Sequence, residues 1–322
     1  MAQISYGILG ASQPATEFVK AIEQVEEAKV VAIAGRSLAD AQKQAERLGL
    51  ERAYGSYEEL CEVSDVDVIY IPKYNRAHYA CAKYALEHGK HVLMAQPFTR
   101  HKVGAGELFQ LAANKNLLLM EEQSVLFLPL MQRIKAEVAK GTIGKLRFIE
   151  IKRYLKLANN NDWLQDLAAG GGALNVGGSN PLELAAYLTD GEVSEWAGFA
   201  ENNIGEADRS ASLTFKVADL LVNAFVTTEL TGEDKLTLVG TDGKITVPNY
   251  IEAKVATVET TSGTNQLVDQ NQQSGLAYLL AHFNECLAKG LVASPLVTPA
   301  QTIKALTVIE DLYQRWYGDP LN

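Results

Sequence analysis

The 322-residue sequence has only three cysteines, Cys61, Cys81 and Cys286, widely spaced and odd in number. That pattern excludes a disulfide framework and offers no paired spacing for zinc, so each cysteine is expected as a small, buried apolar residue and no metal is expected. No apolar run reaches the roughly 20 residues that span a bilayer. No basic leader followed by an apolar block precedes the opening MAQISYGILG, which runs straight into a strand pattern. The expectation is a cytoplasmic protein without a membrane partner. Basic side chains are in deficit: 29 Lys and Arg against 39 Asp and Glu leave a net charge of −10. Such a surface repels phosphate backbones and argues against nucleic acid, although a local basic pocket can still hold one dinucleotide. Repeats and low-complexity tracts are absent as well. What is present is 47% apolar and 21% charged residues, the profile of a globular chain long enough for two ordinary domains.

The first third alternates short apolar runs with amphipathic stretches. Strands are expected at Ile4–Leu9, Val30–Ala34, Val66–Ile71, His91–Met94 and Leu117–Met120. Helical spacing joins Phe18, Ile22 and Val25, then Ala41, Ala45 and Leu48, and later Leu108, Leu111 and Ala112. Ser56 and Glu59 form a Ser-x-x-Glu capping box, the mark of another helix start. Such alternation argues for a parallel sheet covered on both faces. From about Lys145 the texture turns β-rich, at Leu146–Ile151, Ser210–Val217, Leu220–Thr228 and Lys235–Val239. Thr241-Asp242-Gly243-Lys244 reads as a hairpin turn, and strands so close in sequence favour an antiparallel sheet. Two helices follow, one with Leu276, Leu280, Phe283 and Leu287, the other with Ile303, Leu306, Ile309 and Trp316. Thr298-Pro299 with Gln301 caps the second, with proline at its first position. The domains are expected at 1–122 and 123–322, with the last helices free to pack back on the first.

The motif that carries chemistry lies at Gly10-Ala11-Ser12-Gln13-Pro14-Ala15, between the first strand and a helix. It is Gly-x-Gly-x-x-Ala with Ser12 in the middle position. The first glycine makes the tight turn, the second position lets the backbone approach a pyrophosphate, and the last packs helix against strand. Pro14 lacks an N–H, so the cradle loses one donor there. Taken alone the motif also suits a plain strand-turn-helix corner. NAD sites usually end the second strand on an acid that binds the ribose 2′-OH. Here it ends Ala34-Gly35-Arg36-Ser37, and a guanidinium beside a hydroxyl suits a 2′-phosphate. Arg36 stacked on adenine would serve either cofactor. NADP is expected over NAD.

On these residues, and on further ordered matches, the sequence resembles the Gfo/Idh/MocA family, the glucose-fructose oxidoreductase and inositol dehydrogenase group. The matches include Ala53-Tyr54-Gly55-Ser56-Tyr57-Glu58-Glu59-Leu60, Val68-Ile69-Tyr70-Ile71-Pro72, Asn75 and His78. Ala85-Leu86-Glu87-His88-Gly89-Lys90-His91, Gly170-Gly171-Gly172-Ala173-Leu174 and Ser294-Pro295-Leu296-Val297-Thr298-Pro299 continue them. The resemblance implies an α/β fold: a Rossmann doubly wound parallel sheet, then an α/β domain on a large, mostly antiparallel sheet. It implies assembly through that open sheet into a homodimer or homotetramer. It also implies hydride transfer between NAD(P) and a sugar, polyol or related small hydroxyl or carbonyl compound. Cofactor contacts are expected from Gly10, Ala11, Ser12, Gln13, Pro14, Arg36, Ser37, Pro72, Tyr74, Asn75, His78, Gln96 and Pro97.

The family's proton-transfer residues are replaced. Its Glu-Lys-Pro is Ala95-Gln96-Pro97 here, its glycine-motif Asp is Val176, and its His or Tyr is Asn180. The Trp and Arg of a Met-Glu-Ala-Met-Trp-x-Arg-Phe stretch are also missing from Met120-Glu121-Glu122-Gln123-Ser124-Val125-Leu126-Phe127. Gln and Asn exchange hydrogen bonds but move no proton near neutral pH. Removing a general acid–base group lowers rates by about 100- to 10,000-fold. The catalytic candidates are therefore Gln96, Asn180 and Lys73, the last a cation at the carboxyl edge of the sheet, where a surface lysine is the plainer reading. Lys152, Arg153 and Lys156 could face an anionic ligand or solvent, and Trp163 with Asn159-Asn160-Asn161 could touch substrate. The leading expectation is an NAD(P)-dependent oxidoreductase. A nucleotide-binding sensor without turnover, and a reductase of an activated acceptor that needs no lysine, stay open beside it.

Overall fold

The computed structural model describes residues 3–10, 13–72, 75–155, 162–201, 206–270 and 273–318, without the side chains of Gln13, Asn75 and Asp162. Ala11, Ser12, Lys73, Tyr74, Lys156, Asn159, Asn160 and Asn161 lie outside these residues. The chain divides into two compact units, residues 1–123 with 276–300, and residues 124–275 with 301–322.

The first unit runs β1 (Ile4–Leu9), α1 (Gln13–Ile22), β2 (Ala28–Ala34), α2 (Leu38–Leu48), β3 (Arg52–Tyr54) and α3 (Tyr57–Cys61). It continues through β4 (Val68–Ile71), α4 (His78–Glu87), β5 (His91–Met94), α5 (Lys102–Asn114) and β6 (Leu119–Glu121). The strands form one parallel sheet in the order β3-β2-β1-β4-β5-β6, reversing direction of growth between β1 and β4. Ile8, Leu9, Ile33, Ile69, Ile71, Val92 and Leu93 are fully buried, as continuous apolar runs in a doubly covered sheet must be. The capping box is formed: Ser56 Oγ accepts from the Glu59 N–H at 3.1 Å, while Glu59 reaches back to the Gly55 N–H. Val25 lies beyond α1, and Cys81 is half-exposed rather than buried.

The second unit comprises α6 (Pro129–Ala139), β7 (Leu146–Tyr154), α7 (Ala173–Gly177), α8 (Ser179–Thr189), β8 (Val193–Glu201), β9 (Ser210–Val217) and β10 (Leu220–Thr227). β11 (Lys235–Gly240), β12 (Gly243–Pro248), β13 (Val255–Thr260) and β14 (Gly263–Val268) complete its eight-stranded sheet, in the order β14-β13-β12-β11-β7-β10-β9-β8. All pairings are antiparallel except β7 with β10. The period of two along the strands separates its faces. Ile149, Ile151, Leu213, Phe215, Val222, Leu236 and Leu238 point into the core. Phe148, Leu221, Phe225 and Phe199 share the other face by register, and Phe199 is 84% exposed.

Two helices end the chain, α9 (Gly275–Ala288) and α10 (Pro299–Tyr317). Residues 276–300 cluster with the first unit, where the buried Tyr6 hydroxyl donates to Asn284 at 2.5 Å and the Leu119 N–H to the Val292 carbonyl. Residues 301–322 cluster with the second, where Trp196 Nε1 donates to Asp311 and Trp316 Nε1 to the Gly198 carbonyl. No helix of the described residues is long and apolar enough to cross a membrane.

Candidate functional site

The carboxyl edge of a doubly wound sheet, at its switch point, is where such folds bind ligands. β1 ends there at Leu9, and Gly10 follows with a φ of 122°, a backbone conformation that side-chain-bearing residues avoid. Its N–H donates to the Ala34 carbonyl at 2.9 Å, tying the turn to the end of β2. α1 begins at Gln13, so Pro14 falls in the first helical turn, where a missing N–H leaves no intrahelical bond unmade. The N–H groups and the positive dipole end of α1 thus stand at the end of β1, the arrangement that attracts a pyrophosphate.

Beyond β2, Arg36 is exposed and makes no hydrogen bond or ion pair within the described residues. A free guanidinium there fits a 2′-phosphate. Ser37 is the N-cap of a helix. Its hydroxyl caps α2, accepting from the Asp40 N–H at 3.2 Å and donating to the Asp40 carboxylate at 2.8 Å. This cap holds an acid close to Arg36 in sequence.

At the end of β5, Gln96 precedes Pro97 through a cis peptide bond. Gln96 is half-exposed, yet its Nε2 is buried and has no hydrogen-bond partner among the described residues. His78, expected as a cofactor contact, is fully buried at the start of α4. Its Nδ1 lies 2.8 Å from the Pro97 carbonyl and 3.1 Å from that of Phe98. Carbonyls only accept, so Nδ1 carries the proton. The ring thereby holds the loop after Gln96. Pro72 is buried at the end of β4, and Asn75 opens a 3-10 turn ahead of α4. Nearby, the Tyr70 hydroxyl donates to Glu122 at 2.7 Å, and its ring stacks on Phe18 at 3.9 Å. Burial pushes that phenol well above its ordinary range.

The glycine motif of the second unit is a packing device. A Cβ on Gly171 would collide with the Trp163 and Leu164 carbonyls, and one on Gly172 with the Tyr313 hydroxyl and the Asp208 carboxylate. Asp208 is buried and accepts from the Leu174 N–H at 2.8 Å and from the Tyr313 hydroxyl. Its own carbonyl accepts from the Ala173 N–H at 2.8 Å, so one residue satisfies two free N–H groups at the start of α7. Burial raises the Asp208 carboxyl above its usual range, and these hydrogen bonds oppose the rise. Val176 is half-exposed on α7.

α8 carries Ser179, Asn180 and Glu183 buried in its first turns. The Asn180 Oδ1 accepts from the Tyr250 hydroxyl at 2.7 Å. Lys152 and Arg153 do not stand ready for an anion: Lys152 pairs with Glu150 at 3.3 Å, and Arg153 with the largely buried Asp234, which also accepts from the Tyr154 N–H. Trp163 sits half-exposed in a 3-10 turn at Asp162–Gln165. Sequence reasoning missed Tyr70, Asp208 and Tyr250. An aromatic in or just after a strand signals only core, and an aspartate in a loop signals nothing.

Comparison with known proteins yields a consistent set. Residues 4–123 match the model of an oxidoreductase family with an NAD-binding Rossmann fold, and residues 131–246 match the GFO/IDH/MocA C-terminal domain. The trans-1,2-dihydrobenzene-1,2-diol dehydrogenase of Xenopus tropicalis is 25% identical over 323 residues, covering 96% of this chain and 97% of that one. The enzyme of that name from Bos taurus is 32% identical over 179 residues, 54% of this chain and 52% of its own. Among solved structures, a 3-ketoreductase from Actinomadura kijaniata in complex with NADP and TDP-benzene superimposes with a TM-score of 0.88 at 22% identity, covering 97% of each chain. An aldose-aldose oxidoreductase from Caulobacter crescentus complexed with glycerol gives 0.87 at 18% identity, covering 98% of this chain and 97% of that one.

Proposed function

The chain belongs to the Gfo/Idh/MocA family of NAD(P)-dependent oxidoreductases, and we propose that it interconverts the carbonyl and hydroxyl forms of a sugar-like or diol-like small compound, with NADP preferred over NAD. The observation that carries this reading is the Gln96 amide. Its Nε2 is buried at the carboxyl edge of the sheet with no partner among the described residues, a state that costs about 1–3 kcal/mol unless a ligand oxygen relieves it. The nucleotide elements fit the cofactor: the Gly10 turn and the start of α1 hold the pyrophosphate, and Arg36 holds the 2′-phosphate. When bound, the nicotinamide supplies or accepts the hydride. Gln96 then donates to an oxygen beside it, and no side-chain proton transfer occurs at that position because an amide does not titrate. The proton of the product hydroxyl comes from water. Names of the relatives agree with a polyhydroxy or cyclic diol substrate.

The sheet face bearing Phe148, Phe199, Leu221 and Phe225 is proposed to be covered by a second copy of the chain. Apolar residues grouped on one exposed face mark an interaction surface.

The test is NADPH oxidation with a panel of keto and aldehydo sugars, and NADP reduction with polyols and cyclic diols. Turnover on at least one member, reduced about 10- to 100-fold by Gln96→Ala through loss of one hydrogen bond, supports the reading. Tight NADPH binding with no turnover anywhere on the panel refutes it. That outcome would favour a sensor, the reading that the replacements at Gln96, Val176 and Asn180 make the main rival.

A further inference from the structure

We infer that His78 is a positioning residue that fixes the place of the Gln96 amide at the carboxyl edge of the first sheet. The inference rests on the oxidoreductase reading above for its function, and on the first unit alone for its geometry. Gln96 Nε2 is buried with no hydrogen-bond partner among the described residues. A glutamine free to choose would swing its amide toward a partner or into water, because an orphaned buried donor is costly. Such a state persists only where the surrounding structure over-determines it. The segment around Gln96 contains the restraints.

On its N-terminal side the segment is tied to the sheet. The Ala95 N–H donates to the Ile71 carbonyl at 3.1 Å, at the end of β4, and the Glu122 N–H donates to the Met94 carbonyl at 2.8 Å, just past β6. On its C-terminal side stands Pro97, which has no N–H, so only its carbonyl can be tied. That carbonyl and the next one, of Phe98, converge on His78 Nδ1 at 2.8 and 3.1 Å. The ring is fully buried on the first residue of α4, and one N–H is shared between the two carbonyls. Phe98 is itself fully buried and stacks on Phe109 of α5, with ring centroids 4.8 Å apart. Gln96 thus stands between two fixed points, one made by strand ends and the other by an imidazole on a helix.

Chemistry depends on the second fixed point. Tying Ala95 alone leaves the Gln96 backbone free to rotate, and tying Pro97 and Phe98 as well removes that freedom. Without the imidazole, these two carbonyls would need other donors or stay unpaired, and the segment would shift to find them. Gln96 would move with it, and its amide would settle on a partner within the protein. With the imidazole in place, the N–H is held for a ligand oxygen. A donor held in advance stabilises charge that develops on such an oxygen without reorganising, the condition under which it is most effective. A misplacement of about 1 Å can cost about 100-fold in rate. His78 therefore acts through Gln96, by setting where its amide stands.

Crystal structures and kinetics of two full-length variants test this. His78→Phe keeps a buried ring and removes the donor, whereas His78→Asn keeps an N–H close to where Nδ1 stands. The Gln96 side chain should leave its native place in His78→Phe and keep it in His78→Asn; an unmoved Gln96 in His78→Phe overturns the proposal. If His78→Phe does not fold, His78→Asn decides alone, and a displaced Gln96 there overturns it. In NADPH-dependent reduction of carbonyl compounds, His78→Phe should lower kcat about tenfold with the dissociation constant for NADPH unchanged. His78→Asn should restore most of that loss. In the Gln96→Ala background, His78→Phe should have no further effect on kcat, because it acts through Gln96. Additive losses, or an equal loss of NADPH affinity, would mark a general loosening of the unit and overturn the positioning role. A native protein inactive on every carbonyl defeats the enzymatic reading instead, while the structures still decide whether His78 sets the place of Gln96.

Discussion

Replacing Gly172 by alanine should damage the second unit far more than a single methyl suggests. The residue has φ 112° and ψ 140°, a region that glycine alone occupies comfortably, so an alanine held there is strained by about 1–3 kcal/mol. The new Cβ would also press on the Tyr313 hydroxyl, 3.2 Å from its Cζ, and on the Asp208 carboxylate. Those two groups are buried and hydrogen-bonded to each other, so neither retreats without breaking the contact that caps α7. Overpacking of that kind typically adds about 1–3 kcal/mol. The sum, about 4 kcal/mol, corresponds to a fall of roughly 10 °C in the melting temperature of a unit of this size. Circular dichroism melts of Gly172→Ala against the native protein measure it. Adding Tyr313→Phe removes one of the two colliding groups and should restore part of the loss. Gly106→Ala, in the open interior of α5 with nothing within 4 Å of the new methyl, should leave stability unchanged or raise it by up to about 1 kcal/mol. A Gly172→Ala protein melting within about 2 °C of native would show that the loop yields, and that the glycines are not there for packing.

Three further outcomes follow from other parts of the molecule. Calorimetry should find NADPH bound more tightly than NADH, with Arg36→Ala narrowing the gap by about tenfold, the worth of a charge-assisted contact; equal affinities in the native protein would remove the case for a 2′-phosphate site. Asp208 has a raised carboxyl in the fold, so its contribution to stability is fully present below the ordinary carboxylate value and is lost as pH rises through the raised one. Asp208→Asn should therefore gain on the native protein in melting temperature as pH rises above the ordinary carboxylate value, and a flat or falling difference would contradict the raised carboxyl. Light scattering should show a dimer or tetramer at micromolar concentration, and Phe199→Glu with Leu221→Glu should lower the mass; a native monomer would leave the open sheet face without its proposed partner.

Strands that are continuous apolar runs were legible in the sequence: β1 and β5 have the expected bounds. Strand β3 was not, because Arg52-Ala53-Tyr54 is a three-residue edge strand with no fully buried position. Nor was β14, whose GTNQLV is an exposed edge with a single buried residue. The capping box and the proline at the start of α10 showed because capping depends on a few residues at fixed spacing. Gln96 and Asn180 were singled out by their place in family motifs. The helix cap that Ser37 forms with Asp40 went unread, because the same hydroxyl also suits a ligand group at the end of β2. Tyr250 was invisible for a different reason: its meaning is its distance from Asn180, and no local pattern encodes a contact across 70 residues.

The return of residues 276–300 to the first unit bears on how the protein is made. As the chain leaves the ribosome, the sheet β1–β6 emerges first, but Tyr6 has not yet met Asn284 or Phe283, and Leu119 has not met Val292. Those partners arrive only after the whole eight-stranded sheet has been translated. The nascent dinucleotide-binding half must therefore wait with a flank of its core uncovered and the Tyr6 hydroxyl without its Asn284 partner. A fragment cut at residue 123 would stay in that condition permanently, which makes the isolated half a poor stand-in for the nucleotide site and a substrate for chaperones.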